Sequence, residues 1–187
     1  MKRWSRTVAA VLVLGSVSLA AVVLAADAAK PARTAAEKAA LIERGRTLVG
    51  IMGCNDCHTP GGLYAQPDAK RELAGSEIGW KGPWGVSFAR NLTPDLETGM
   101  GYWTEDEIVR AFKTGNKNDG TQMLPPMPWL TTAKLTDADQ HALALYLMSL
   151  PAISHHVPDA LPPGKDYAGP TVVIPAPGAW DAPAGAK

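Results

Sequence analysis

Between residues 59 and 101 the chain carries glycine at 61, 62, 75, 79, 82, 85, 99 and 101 and proline at 60, 67, 83 and 94. Punctuation at this density excludes long helices or strands. An irregular stretch of that size inside a compact domain needs something to pack against, because its backbone polar groups cannot all satisfy one another. A large cofactor would serve as the missing core, and the residues just upstream offer a way to hold one.

The sequence has two cysteines, and they stand in Cys54-Asn55-Asp56-Cys57-His58. That string puts two thiols on one turn with an imidazole directly after, which suits addition to the two vinyl groups of a haem and ligation of its iron from one side. A zinc site would need four ligands, and the remaining histidines are His141, His155 and His156. A thioredoxin-like dithiol belongs at the end of a strand, and no strand pattern precedes Cys54. A plain disulfide leaves His58 without a role. The reading is one haem c, covalent through Cys54 and Cys57, with His58 on the iron.

A six-coordinate haem needs a second axial ligand, and a thioether opposite histidine raises the reduction potential. Met52 is too close to the attachment site, Met148 falls inside a predicted helix, and Met100 reads as a flexible core filler. Met127 fits best, because Leu124-Pro125-Pro126-Met127-Pro128-Trp129 is a stretch in which prolines stiffen an extended loop. Met123 is the runner-up, and bis-His ligation through the tail histidines is the remaining option. The two haem propionates need polar partners. Arg90 and Asn91, with Thr93, form a compact donor cluster for them, the competing reading being a solvated turn.

Three helices frame this loop. Thr34 and Glu37 form a capping box for one whose apolar face is read as Ala40, Leu41, Arg44, Leu48 and Ile51, ending at Gly53. Thr104 and Glu107 cap a second, with Ile108, Ala111 and Phe112 in a stripe that runs to Gly115. The third opens at Thr136, buries Leu143, Tyr146, Leu147 and Leu150, and stops at Pro151. The fold class is all-α, with long loops around one haem. His141 reads as a surface residue on a polar face.

The first residues are a basic cluster, Lys2, Arg3 and Arg6, followed by an uncharged run from Thr7 to Ala26, the pattern of an export signal. The expected organisation is a signal peptide over 1–28, with a retained membrane anchor as the alternative, a linker over 29–35, the haem domain over 36–151 and a Pro/Gly/Ala-rich tail over 152–187. Residues 172–174 of that tail are expected to dock as an extended segment, flanking prolines arguing against a central strand. Either fate of the leader puts the domain in the periplasm, and membrane association follows only if the leader stays. The formal charge is zero, and losing the three N-terminal cations leaves 15 basic against 18 acidic groups, a balance that makes nucleic acid an unsuitable partner.

With the haem motif, the helices and the late methionine in place, residues 36–151 resemble class I cytochromes c, in which terminal helices cross beside the haem. More narrowly, Asn91-Leu92-Thr93-Pro94-Asp95, Glu97-Thr98-Gly99, Trp103-Thr104-Glu105-Asp106-Glu107 and Pro126-Met127-Pro128 are similar to the cytochrome subunits of membrane-bound sugar and alcohol dehydrogenases. The resemblance implies His58 as proximal and Met127 as distal ligand, with Gly45 and Tyr146 at the helix crossing. It implies an electron carrier rather than an enzyme, working between a dehydrogenase donor and an oxidase or second cytochrome. Those subunits typically carry three such domains, whereas one C-x-x-C-H is present here. The rival functions are a subunit of a larger dehydrogenase, and a haem enzyme or sensor with an open distal site.

Overall fold

The computed structural model describes residues 32–178; the expected leader, residues 29–31 of the linker and residues 179–187 lie outside the described residues. In chain order the elements are α1 (Ala35–Ile51), α2 (Cys54–His58), β1 (Gly79–Gly82), β2 (Gly85–Phe88), α3 (Glu105–Thr114), α4 (Trp129–Thr132), α5 (Asp137–Ser149) and β3 (Thr171–Val173). Helices α1 and α3 begin at full capping boxes: the Thr34 and Thr104 hydroxyls accept from the amides of Glu37 and Glu107, whose carboxylates accept from the threonine amides in return. Thr136 caps α5 by accepting from the Asp139 amide.

Helices α1 and α5 cross with their backbones nearly touching. A Cβ on Gly45 would lie 2.1 Å from the Ala142 carbonyl oxygen and 2.6 Å from Tyr146 Cβ, so no larger residue fits this crossing. The same approach fixes the rotation of α1. Residues three and four positions from Gly45 turn inward, and Leu41, Ile42, Leu48, Val49 and Met52 join the core. The face anticipated from the sequence was offset: Ile51 is 74% exposed, and Arg44 reaches Asp139 on α5 at 2.8 Å. Ile108 and Val109 of α3 complete the cluster with Leu143, Tyr146 and Leu147 of α5.

The fold is mostly helical, but the all-α expectation needs one correction. Among the described residues there is a three-stranded sheet in the order β2-β1-β3, with β1 antiparallel to β2 and parallel to β3. Four-residue strands fit between the glycines of the long loop, where longer elements do not. Strand β3 comes from the stretch beyond Pro151 and takes an edge, as the flanking prolines demand. That stretch is no loose appendage: Val157 is buried with Val86 and Phe88, Leu161 pairs with Val86, and the Tyr167 ring meets Phe88 edge-on at 4.9 Å.

The loop enters the helical core through Leu73, which is fully buried and held in the left-handed region at φ 56°. A non-glycine residue there costs of order 1–3 kcal/mol and persists only where its surroundings over-determine it. Here the Leu73 amide donates to Thr59 Oγ1 at 2.9 Å and its carbonyl accepts from the Leu92 amide at 2.8 Å. Among the described residues no helix is long and apolar enough to cross a membrane.

Candidate haem attachment site

Gly53 adopts φ 66°, a left-handed turn that ends α1 and starts α2 in a new direction. On the single turn of α2, Cys54, Cys57 and His58 stand at i, i+3 and i+4 and therefore share a face. Both cysteines are free thiols and half-buried. Burial pushes the Cys54 thiol up to about 11 and raises Cys57 as well, so both are protonated at neutral pH. That environment suits neither a thiolate nucleophile nor a redox-active dithiol. Among the described residues no group of three or more His, Cys, Asp or Glu is placed to hold a metal ion.

His58 Nδ1 lies 2.7 Å from the carbonyl oxygen of Arg90. A carbonyl only accepts, so Nδ1 carries the proton and Nε2 keeps the lone pair that a metal requires. Burial lowers the His58 pKa, partly offset by the bond to Arg90, and this favours the neutral imidazole. The turn is pinned from the loop side too. The Gly75 amide donates to the His58 carbonyl at 2.7 Å, and Thr59 Oγ1 donates to Asn55 Oδ1 at 2.7 Å while receiving the Leu73 amide. A haem c fits this donor set: two free sulfurs on one face of a turn, and one oriented imidazole nitrogen beside them.

The structure gives the other sequence-selected residues varied places. Met52 and Met100 pack against the main apolar cluster, as core fillers would, and Met148 is 42% exposed. Met123 and Met127 are half-buried in the segment between α3 and α4. That segment is tied at several points: the Met123 amide donates to Gly115 at 2.7 Å, the Met127 amide to Leu124 at 3.2 Å, and Ser87 Oγ to the Pro125 carbonyl at 2.5 Å.

Arg90 and Asn91, the expected propionate donors, both have protein partners. Arg90 Nη1 donates to the carbonyls of Val157 and Pro158 at 3.2 and 2.9 Å. The Asn91 amide group uses its full capacity: Nδ2 donates to Thr98 Oγ1 and the Ile153 carbonyl, and Oδ1 accepts from the amide and hydroxyl of Thr93.

His141, expected on a polar surface face, and His155 of the tail are both mostly covered. The His141 side chain is 18% exposed and its Nδ1 lies 2.5 Å from Glu105, which also receives two bonds from Arg33. The His155 ring faces Ala74 O at 2.8 Å and Glu77 Oε1 at 2.7 Å, while His156 is exposed. The period-two alternation of Ile153, His155 and Val157 is the signal that separates the adjacent histidines; no local pattern marks Thr59, Glu105 or His141.

Comparison with known proteins agrees with this geometry. A family model described as cytochrome c matches residues 42–151. The chain is 37% identical over 109 residues to the cytochrome c subunit of the quinone alcohol dehydrogenase of Gluconobacter oxydans (strain 621H), covering 58% of this chain and 21% of that one. It is 34% identical over 137 residues to the gluconate 2-dehydrogenase cytochrome c subunit of Pantoea cypripedii, covering 73% and 27%, and 35% identical over 120 residues to a nicotinate dehydrogenase subunit of Pseudomonas putida, covering 64% and 9%. The chain thus spans about a quarter or less of the length of these relatives. The match across most of the helical core, joined to the thiol pair and oriented imidazole of α2, places the chain in the cytochrome c family, whose work is electron transfer.

Proposed function

We propose that the protein is an exported mono-haem electron carrier: one haem c joined to Cys54 and Cys57, His58 Nε2 and the Met127 sulfur as axial ligands, and three main helices, α1, α3 and α5, around it. When bound, the haem supplies a one-electron couple at its iron. The chain's own residues do the rest. The two sulfurs fix the position of the macrocycle, and Arg90 O orients the imidazole through Nδ1 so that ligation changes little on oxidation. The tied segment 123–129 offers a methionine sulfur with little ordering cost, Met127 ahead of Met123.

The single observation carrying the reading is the His58 Nδ1 to Arg90 O bond on the same turn as two free thiols. Its partners are redox proteins, and the relatives named above favour a dehydrogenase as donor, with an oxidase or another cytochrome as acceptor. The basic cluster and uncharged run at residues 2–26 support work in the periplasm, free or at the inner membrane. For the propionates, Arg90 is the better candidate, because Asn91 is fully committed elsewhere.

The test is intact mass and an alkaline pyridine spectrum of protein made in a host competent for haem attachment. One added haem with two thioethers is expected, and unmodified chain overturns the reading. The ferric protein is expected to show the sulfur-to-iron charge-transfer band, lost in Met127→Ala; a band lost only in Met123→Ala moves the ligand to Met123.

A further inference from the structure

The stretch after Pro151 lies beyond the part of the chain that matches the family, yet it grips the loop that holds His58. Ile153, His155 and Val157 turn inward while Ser154 and His156 face solvent, the alternation of an extended strand. The Ile153 carbonyl accepts from Asn91 Nδ2 at 2.8 Å, and its amide donates to Thr93 Oγ1 at 3.2 Å. The His155 amide donates to Thr98 Oγ1 at 3.0 Å, and its ring reaches Ala74 O. Val157 and Pro158 receive the Arg90 guanidinium.

These contacts converge on the backbone that touches the imidazole. Val157 is 2% exposed and fills the space opposite Gly75, where a Cβ would lie 2.5 Å from Val157 Cγ2 and 2.9 Å from Ala89 O. Gly75 in turn donates to the His58 carbonyl, and the Ser76 amide donates to Ala89 O at 2.9 Å. The Arg90 carbonyl that receives His58 Nδ1 is therefore held on its own side chain and at the next residue by residues 153–158.

We propose that residues 153–158 are a positioning strap for the iron ligand: by fixing the Arg90 carbonyl opposite His58 Nδ1 they set the orientation and basicity of the imidazole, and through it the reduction potential. Thr93 and Val157 are positioning residues in this scheme, which rests on His58 ligating a covalent haem. Donation from the outer ring nitrogen makes the imidazole a stronger base toward the metal. A stronger base stabilises ferric iron, so loosening the strap raises the potential. General loosening that admits water acts in the opposite direction, because solvation favours the more highly charged oxidised form. The sign of the shift separates positioning from mere structural support.

The experiment uses the full-length haem protein. Thr93→Val removes the hydroxyl shared by Ile153 and Asn91 without changing shape or charge, Val157→Ala loosens the fit against Gly75, and Thr93→Ser keeps the hydroxyl. At a fixed ambient potential the reduced-to-oxidised ratio is expected to rise about three- to tenfold in Thr93→Val, equivalent to roughly 30 to 60 mV at 59 mV per decade. Val157→Ala is expected to shift the same way by about twofold, and Thr93→Ser to match the parent. If Thr93→Val does not fold, Val157→Ala decides alone. An unchanged or lowered potential in haem-bearing variants overturns the strap and leaves the haem reading standing; absence of attached haem in the parent overturns both.

Discussion

Where α1 crosses α5, the contact is mainly apolar and joins helices whose form is local in origin: Leu48 and Val49 on one helix and Leu143, Tyr146 and Leu147 on the other share one cluster, each helix already shaped by its own cap. Around the attachment turn, by contrast, residues 59–101 and 152–174 are joined by hydrogen bonds between distant segments, such as Asn91 to Ile153 and His155 to Ala74. Apolar packing is non-directional and tolerates small shifts. A polar network is directional, and each member left unpaired and buried costs about 1–3 kcal/mol. The helical half is thus a scaffold that forms from sequence periodicity, and the loop half is a mould whose geometry has to be held from several sides. His58, the proposed iron ligand, sits at the seam, its backbone on α2 and its ring bonded to the Arg90 carbonyl.

That contrast can be broken most severely by removing the haem attachment. In the double variant Cys54→Ala/Cys57→Ala the haem is expected to be absent or readily extracted. Hydrogen exchange is expected to show the amides of Leu73, Gly75 and Leu92 losing far more protection than those of Leu143–Leu147. Equal loss in both regions means the helical half is no independent scaffold.

Gly45→Ala tests the scaffold directly. A Cβ 2.1 Å from the Ala142 carbonyl forces the helices apart, at a cost of about 3 kcal/mol or more, measured as a fall in the urea midpoint. A neutral result means the crossing is looser than the geometry implies.

Asn91→Ala probes the mould. It removes four hydrogen bonds, leaving the Ile153 carbonyl and Thr98 hydroxyl each one donor short, and is expected to cost about 2–3 kcal/mol in the same assay. It is also expected to expose the 152–161 segment to proteolysis; a tail that stays resistant shows that Asn91 does not anchor it.

The smallest effect is at the join between α3, α5 and the segment before α1. Burial raises the Glu105 carboxyl, but the bonds from Arg33 and His141 outweigh it, and its pKa falls below the ordinary 4.5. A depressed carboxylate stabilises the fold above its unfolded value and loses that contribution as pH falls through the folded one. Glu105→Gln is therefore expected to cost about 1 kcal/mol at pH 7, with parent and variant converging on acidification below pH 4. A gap that persists in acid shows that the charge is not its source.

The turn that brings two thiols and an imidazole to one face was legible, since Cys54, Cys57 and His58 fall within five residues and need no tertiary partner to be read. The starts of α1, α3 and α5 were legible for the same reason: a cap couples residues three apart. The buried face of α1 was misjudged because Gly45, which contributes no apolar side chain to any stripe, sets the rotation of the helix. The hydrogen bond from Asn91 to Ile153 was not legible, because its partner stands 62 positions away and carries no local mark.

By itself, then, the sequence determined the grouping of thiols and imidazole on α2 and the existence of the helices, because both depend on interactions within a few residues. Only the tertiary structure decided which carbonyl orients His58, that His141 and His155 are held by carboxylates, and that the chain beyond Pro151 closes over the loop. Those features join residues 32 to 81 positions apart, and hydrogen-bond direction across such separations is fixed by how the whole chain packs.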